Sequence, residues 1–255
     1  MHDEMVARLL ALNRRFYAAF ADQFAASRSV SDPALTAILP YLPSAARVLD
    51  VGCGNGRLAL LLDQQRPGST YVGVDAVAAL IEEARSQALS LTRTEVAFAV
   101  LDVAEDGWTD GIPSISPATS DSTSFDCVVA LAVLHHIPSL GLRAQVVRQL
   151  AGLVAAKGQL IISTWRFLAH ERMRRKIVDW LAVGIDETRL EPGDYLLDWA
   201  RGGRGYRYCH HLDEGELKQL AVASGLSIRE TFVAGGREGD LSLFAILERD
   251  SVNGS

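Results

Sequence analysis

The chain has 255 residues, 49% of them hydrophobic, which is enough to bury a full core in one α/β domain with additions. A net charge of −6 excludes a surface that grips nucleic acid everywhere, while leaving room for local basic patches. Cys53, Cys127 and Cys209 are far apart and never in C-x-x-C spacing, which disfavours a zinc site, an iron-sulfur cluster and a disulfide framework, so no metal is expected.

The opening residues carry acids and no long apolar run, so neither a signal peptide nor a membrane span is expected, and the cytoplasm is the expected compartment. Met5, Leu9, Leu12, Phe16, Phe20 and Phe24 recur every three or four positions and predict one helix over residues 5 to 26. Ser31-Asp32-Pro33 is a capped start for a second helix running to Leu42, with Pro43 as its stop. Residues 1–45 thus read as an N-terminal helical cap ahead of a domain spanning 46–255.

That domain opens with Ala46, Val48, Leu49 and Val51, an apolar run suited to a strand buried on both faces. It ends in Asp50-Val51-Gly52-Cys53-Gly54-Asn55-Gly56, and helix-type sequence follows from Leu58. Glycines at a strand-to-helix turn bring bare backbone amides against a ligand. The pattern is G-x-G-x-G, and Arg57 stands where a dinucleotide fingerprint wants its third glycine, so NAD and FAD lose support.

A second strand, Thr70 to Asp75, closes on an acid 23 positions after Gly52, spacing suited to accepting hydrogen bonds from both hydroxyls of a ribose. A helix from Val77 to Leu89 follows. Phe98-Ala99-Val100-Leu101-Asp102 repeats the design, with Asp102 available to an adenine amino group. Residues 103–124, rich in Ser, Thr, Asp, Gly and Pro, predict a long surface loop.

Phe125 to Leu131 is the fourth strand, and His135 and His136 leave its carboxyl end, where ligand-binding residues of doubly wound sheets sit. Adjacent histidines point different ways, so at most one faces a substrate. A helix over Leu142 to Leu153, a turn at Lys157-Gly158 and a fifth strand from Gln159 to Trp165 come next. A basic insertion at about 166–211 then holds a basic helix with Arg166, Arg172, Arg174, Arg175 and Lys176, and an irregular stretch over 184–211. Its segment Trp199 to Tyr208 alternates three aromatics with arginines, suited to stacking bases or to a solvated loop. A helix over Glu214 to Ser224 is capped by Gly225, and Leu226-Ser227-Ile228 and Leu241 to Leu247 make a closing antiparallel hairpin.

The order of Asp50 to Gly56, Asp75, Asp102 and Phe125-Asp126-Cys127-Val128-Val129 resembles the class I S-adenosylmethionine (SAM) dependent methyltransferases. The resemblance implies an α/β fold: a doubly wound, seven-stranded, mostly parallel Rossmann-like sheet with an antiparallel C-terminal hairpin strand. It also implies SAM as cofactor, held by Asp50, Gly52, Cys53, Gly54, Asn55, Gly56, Asp75, Ala76, Asp102, Val103 and Leu131. Ahead of such a fold the N-terminal helix either packs over the core or closes the cofactor pocket, and the second reading puts Tyr17, Phe24, Ser27 and Arg28 near the ligand.

Further pieces resemble the wobble-uridine tRNA methyltransferases, which esterify the carboxylate of 5-carboxymethyluridine. They are Phe24-Ala25-Ala26-Ser27-Arg28, Ala130 to His136, Ser163-Thr164-Trp165, Arg207-Tyr208-Cys209-His210-His211 and Glu214-Gly215-Glu216-Leu217. Thr164-Trp165 stands where that branch usually has a valine-tryptophan pair. The branch implies the tRNA anticodon loop as partner and, for its eukaryotic members, a small activating protein subunit. A carboxylate is already ionised at neutral pH, so it needs holders rather than a general base. Arg28, His135, Arg207, Tyr208 and His210 are the candidates. A small-molecule acceptor of an O- or N-methyltransferase, and a SAM-binding subunit without activity of its own, are the alternatives.

Overall fold

The computed structural model describes residues 1–26, 30–115 and 123–249. Five parallel strands form the centre of the main sheet: β1 (Arg47–Val51), β2 (Thr70–Asp75), β3 (Glu95–Val100), β4 (Phe125–Leu131) and β5 (Val154–Trp165). Their order is β3-β2-β1-β4-β5, and the sheet is completed by a hairpin of β9 (Leu226–Ala234) and β10 (Ser242–Arg249), with β10 antiparallel to β5. This is the seven-stranded, mostly parallel sheet implied by the resemblance.

The strands are buried on both faces because they are apolar on both. Leu49, Val51, Val128 and Ala130 face a core shared with Val146 and Leu150 of the helix Leu140–Gly152 and Leu217 and Leu220 of the helix Glu214–Ala223. Val48, Tyr71, Cys127, Val129 and Ile161 face the other way, against Leu58 and Leu62 of the helix Arg57–Gln65 and Ile81 of the helix Ala78–Ala88. Between β1 and β4 the chain order reverses, which opens a crevice at the strands' carboxyl ends.

Several expectations change. The first helix is two: α1 (Asp3–Ala19) and α2 (Ala21–Ala26), separated at Phe20. The second keeps its Asp32 cap, whose Oδ1 accepts from Ala34 N at 3.0 Å, but α3 (Pro33–Thr36) ends early, and Leu39–Tyr41 is a 3-10 turn. Pro40 cannot donate into a continuing helix. Within the predicted loop 103–124, Trp108–Gly111 and Ile112–Ile115 are short helical turns that bury Trp108 and Ile112 in the core; residues 116–122 lie outside the described residues. Lys157 and Gly158 are part of β5, where the register against β4 slips, rather than a separate turn.

The largest correction concerns residues 166–211. The expected basic helix is reduced to turns at Phe167–Ala169 and Glu171–Arg174. The stretch expected to be irregular holds β7 (Asp194–Trp199) and β8 (Gly205–His210), which with β6 (Ile177–Val178) ahead of it form a second, three-stranded antiparallel sheet. Gly202 and Gly203, both at positive φ, turn the chain between β7 and β8. The apolar stripe of α1 lies on this small sheet: Met5 and Leu9 share a buried cluster with Trp180, Leu196 and Tyr208. No helix among the described residues is long and apolar enough to cross a membrane.

Candidate functional site

A cavity of about 450 Å³ occupies the crevice at the carboxyl ends of β1, β2 and β4. Its floor is the glycine turn. Gly52, Gly54 and Gly56 have φ of 70°, 57° and 77°, a region that only glycine enters without strain. Gly52 N and Cys53 N donate to Val74 O at 2.8 and 3.0 Å, stitching the turn to β2. A Cβ on Gly52 would lie 2.4 Å from Val133 Cγ2, whereas one on Gly54 would meet nothing within 4 Å. Open space above Gly54 is what a cradle for a ligand's main-chain-like end requires.

Asp75 stands beside that turn. Its Oδ2 accepts from Gly54 N and its Oδ1 from Val77 N, both at 2.9 Å, and burial pushes its carboxyl pKa up against those backbone donors. Asp102 also lines the cavity, with Oδ1 on Ala104 N at 2.9 Å and Oδ2 on Arg14 Nε at 2.7 Å. Cys53, Asn55, Ala76, Val103 and Leu131 share the lining. Two expected cofactor residues do not reach it. Asp50 is buried beneath the turn, where it accepts from Tyr71 Oη at 2.7 Å and burial pushes its pKa up to about 7. Gly56 is the left-handed residue ahead of the helix Arg57–Gln65, packed towards Ala84 and Phe98.

The wall opposite the glycine turn comes from α1, through Leu10, Asn13, Arg14, Tyr17 and Ala18. Asn13 fixes that helix. Its Oδ1 accepts from Tyr208 N at 2.8 Å, and its Nδ2 donates to Tyr208 O and His136 O at 3.2 Å each. Arg14 and Asn13 were not singled out in the sequence. Their signal is two polar residues inside an otherwise apolar helical stripe.

A further part of the lining is formed by Tyr17, His136, Ile137 and Trp165. Of the two histidines it is His136, and not His135, that faces the cavity. His135 is fully buried, its ring 4.6 Å from Trp165 and its Nδ1 3.4 Å from Thr164 Oγ1. Tyr17 Oη lies 2.7 Å from His136 Nε2. Arg207, also expected to touch substrate, does not line the cavity but sits behind these residues, 3% exposed, with its guanidinium carbon 4.5, 5.3 and 5.5 Å from the ring centres of Trp165, Phe16 and Trp199.

Tyr208 and His210, expected to touch substrate, are tied elsewhere. Tyr208 Oη donates to Asp194 Oδ1 at 2.8 Å, and His210 is held between Asp194 Oδ1 at 2.7 Å and Glu216 Oε2 at 2.8 Å. Neither lines the cavity: Tyr208 packs with Met5 and Leu9 of α1 and with Trp180 and Leu196, and His210 reaches Glu216 of the helix Glu214–Ala223. Arg28, Ser27 and the side chain of Phe24 lie outside the described residues.

Among the described residues, two groups bring three ligand-type atoms within 4.8 Å of one another: His135, His136 and Cys209, and His170, Glu238 and Asp240. In the first, both nitrogens of His136 face Tyr17 and Tyr208, and burial pushes the Cys209 thiol up to about 12. In the second, His170 and Asp240 are engaged with Glu238 and Arg166.

A model for the methyltransferase domain matches residues 17–231. A putative methyltransferase from Encephalitozoon cuniculi is 28% identical over 210 residues, covering 82% of this chain and 81% of that protein. The tRNA (carboxymethyluridine(34)-5-O)-methyltransferase of Arabidopsis thaliana is 28% identical over 182 residues, 70% of this chain, which spans only 39% of that relative's length. Among solved structures, a SAM-dependent methyltransferase from Methanosarcina mazei superposes with a TM-score of 0.61 at 22% identity, covering 83% of this chain and 95% of that one.

Proposed function

The chain belongs to the methyltransferase-domain family and is a SAM-dependent methyltransferase, and we propose that its acceptor is a carboxylate on a modified wobble uridine of tRNA. The donor's place is the cavity between β1 and α1. There the open backbone at Gly54 would receive the methionyl end, Asp75 the ribose hydroxyls and Asp102 the adenine amino group, with Arg14 giving way at Asp102. When bound, SAM supplies a sulfonium methyl that needs an aligned nucleophile more than a strong one.

The observation that carries the acceptor reading is Arg207. A guanidinium that is almost wholly buried, surrounded by aromatic rings and with no hydrogen-bond partner for its Nε among the described residues is costly unless an anion meets it. It lies behind the lining residues Tyr17 and Trp165 and its Nη1 donates to Tyr17 Oη at 3.5 Å, so a carboxylate that meets the Tyr17 hydroxyl at this end of the cavity has a cation backing its holder. A second feature suits a polyanion. Burial together with Arg207, Arg172 and Arg201 holds the Lys176 ammonium below its ordinary pKa, a crowding of like charge that phosphates relieve. The similarity to the Arabidopsis enzyme supports the same reading.

The test is mass spectrometry of tRNA nucleosides after incubation with the purified chain and labelled SAM, against a metabolite extract. The reading expects an alkali-labile methyl ester on tRNA, formed at a rate flat between about pH 6 and 9 because the carboxylate is already ionised. Arg207→Gln should raise KM for the acceptor about a hundredfold, the weight of a buried charge-assisted pair. Labelled metabolites with unlabelled tRNA reject it in favour of a small-molecule acceptor, and SAM binding without turnover on either favours a cofactor-binding subunit. A small activating subunit belongs to the same proposal, and full activity of the purified chain alone removes it.

A further inference from the structure

The acceptor end carries more machinery than a carboxylate needs. His136 Nδ1 lies 3.1 Å from the carbonyl oxygen of Tyr208, which can only accept, so that nitrogen bears the hydrogen and Nε2 of the neutral ring is the lone-pair nitrogen. Tyr17 Oη, 2.7 Å from Nε2, is then the donor, and Arg207 Nη1 at 3.5 Å donates to Tyr17. All three links are polarised the same way, from Arg207 through Tyr17 to His136 to a backbone carbonyl. A phenol with a base on one side and a cation on the other is set up to surrender its proton. Both Tyr17 and His136 line the cavity.

We propose that Tyr17 and His136 act as a proton-accepting pair that gives the same site a second acceptor class, weakly acidic phenolic hydroxyls. The acceptor's hydroxyl proton passes to the Tyr17 oxygen while the Tyr17 proton moves to His136 Nε2, leaving an imidazolium. The freed acceptor oxygen forms its bond to the donor's methyl carbon as the carbon–sulfur bond breaks, and that electron pair stays on sulfur. The imidazolium then returns its proton to water. An aromatic acceptor also suits the walls, since Trp165, Tyr17 and Ile137 offer flat apolar surface around the pair. Among the described residues, the other titratable groups around His136 include His135, with ring centres 4.3 Å apart, Cys209, kept neutral by burial, and Arg207 through Tyr17. This inference needs the family membership but not the carboxylate reading.

The test uses 3,4-dihydroxybenzoate and 3,4-dihydroxybenzamide as acceptors with methyl-labelled SAM. An alkali-stable methyl ether from both compounds is the expected product. Tyr17→Phe and His136→Asn should each lower its rate about a hundredfold near pH 7, the usual weight of general-base catalysis. Their deficit should shrink as pH approaches the phenol's own pKa, where no base is needed, a trend that a merely structural role would not produce. Tyr17→Phe removes only a hydroxyl, so it keeps the test open if His136→Asn fails to fold. An alkali-labile ester from the benzoate with no ether overturns the pair while sustaining the carboxylate reading; ether without ester does the reverse. A deficit independent of pH, or no ether at all, overturns the pair.

Discussion

Gly52 and Gly54 look alike in sequence and share a left-handed backbone, but they serve different ends. A Cβ at Gly52 would strike Val133, so Gly52→Ala should cost roughly 2 kcal/mol of stability through strain and overlap. At Gly54 the Cβ enters open cavity, so Gly54→Ala should cost roughly 1 kcal/mol of stability through its backbone alone while weakening SAM binding by more than Gly52→Ala does. Denaturant unfolding beside calorimetric titration separates the two; equal effects on both would mean that Gly54 does not face the ligand. The turn and Asp75 were legible because glycine and acid at strand ends have few other uses. Asp50 was misplaced because its position alternates with Leu49 and Val51, and the β-strand period cannot say which buried residue touches a cavity and which lies under it.

At the scale of elements, the small sheet is held to the main domain by buried charge. Between Asp194 of β7 and Glu216 of the helix Glu214–Ala223, His210 engages both ring nitrogens, and Arg143 donates to Glu216 Oε1 at 2.6 Å and to Ile137 O at 3.0 Å. Burial disfavours the imidazolium, but hydrogen bonds to the two carboxylates outweigh it and raise the pKa of His210 above its ordinary value. A group with a raised folded pKa stabilises the fold below its unfolded pKa and loses that contribution as pH rises through the folded one. Unfolding free energy should therefore favour the native chain over His210→Gln near pH 6, with the gap narrowing by about pH 9. A gap that widened with pH would mean that His210 is buried neutral. None of this was legible. Adjacent Leu196 and Leu197 are both buried, which hides the strand alternation of β7, and the stretch from Arg201 to Arg207 read as a base-stacking or solvated loop, whereas Arg207 lies in β8 enclosed by rings.

Across the whole molecule, α1 links the two sheets over one cavity. Asn13 pins it to β8, Tyr17 reaches His136 beyond β4, and Arg14 reaches Asp102 beyond β3, so both ends of the cavity are walled by the same helix. The Arg14 link is half-exposed and weak, which lets it yield to a ligand, whereas the Asn13 bonds are buried and hold. The strands, the glycine turn and the closing hairpin were legible because each is written locally, while their doubly wound order came from the resemblance. Sequence pattern did not give the partner of α1, since an apolar stripe does not say which surface it covers.

The glycine turn and Asp75 form the proposed seat of the methyl donor. Calorimetric titration of the purified chain with SAM measures this most directly. Saturable one-to-one binding is expected, weakened about thirtyfold in Asp75→Ala, equivalent to about 2 kcal/mol for the lost charged acceptor of two hydroxyls. Unchanged affinity in Asp75→Ala, with the variant folded, would place the donor elsewhere and contradict the site.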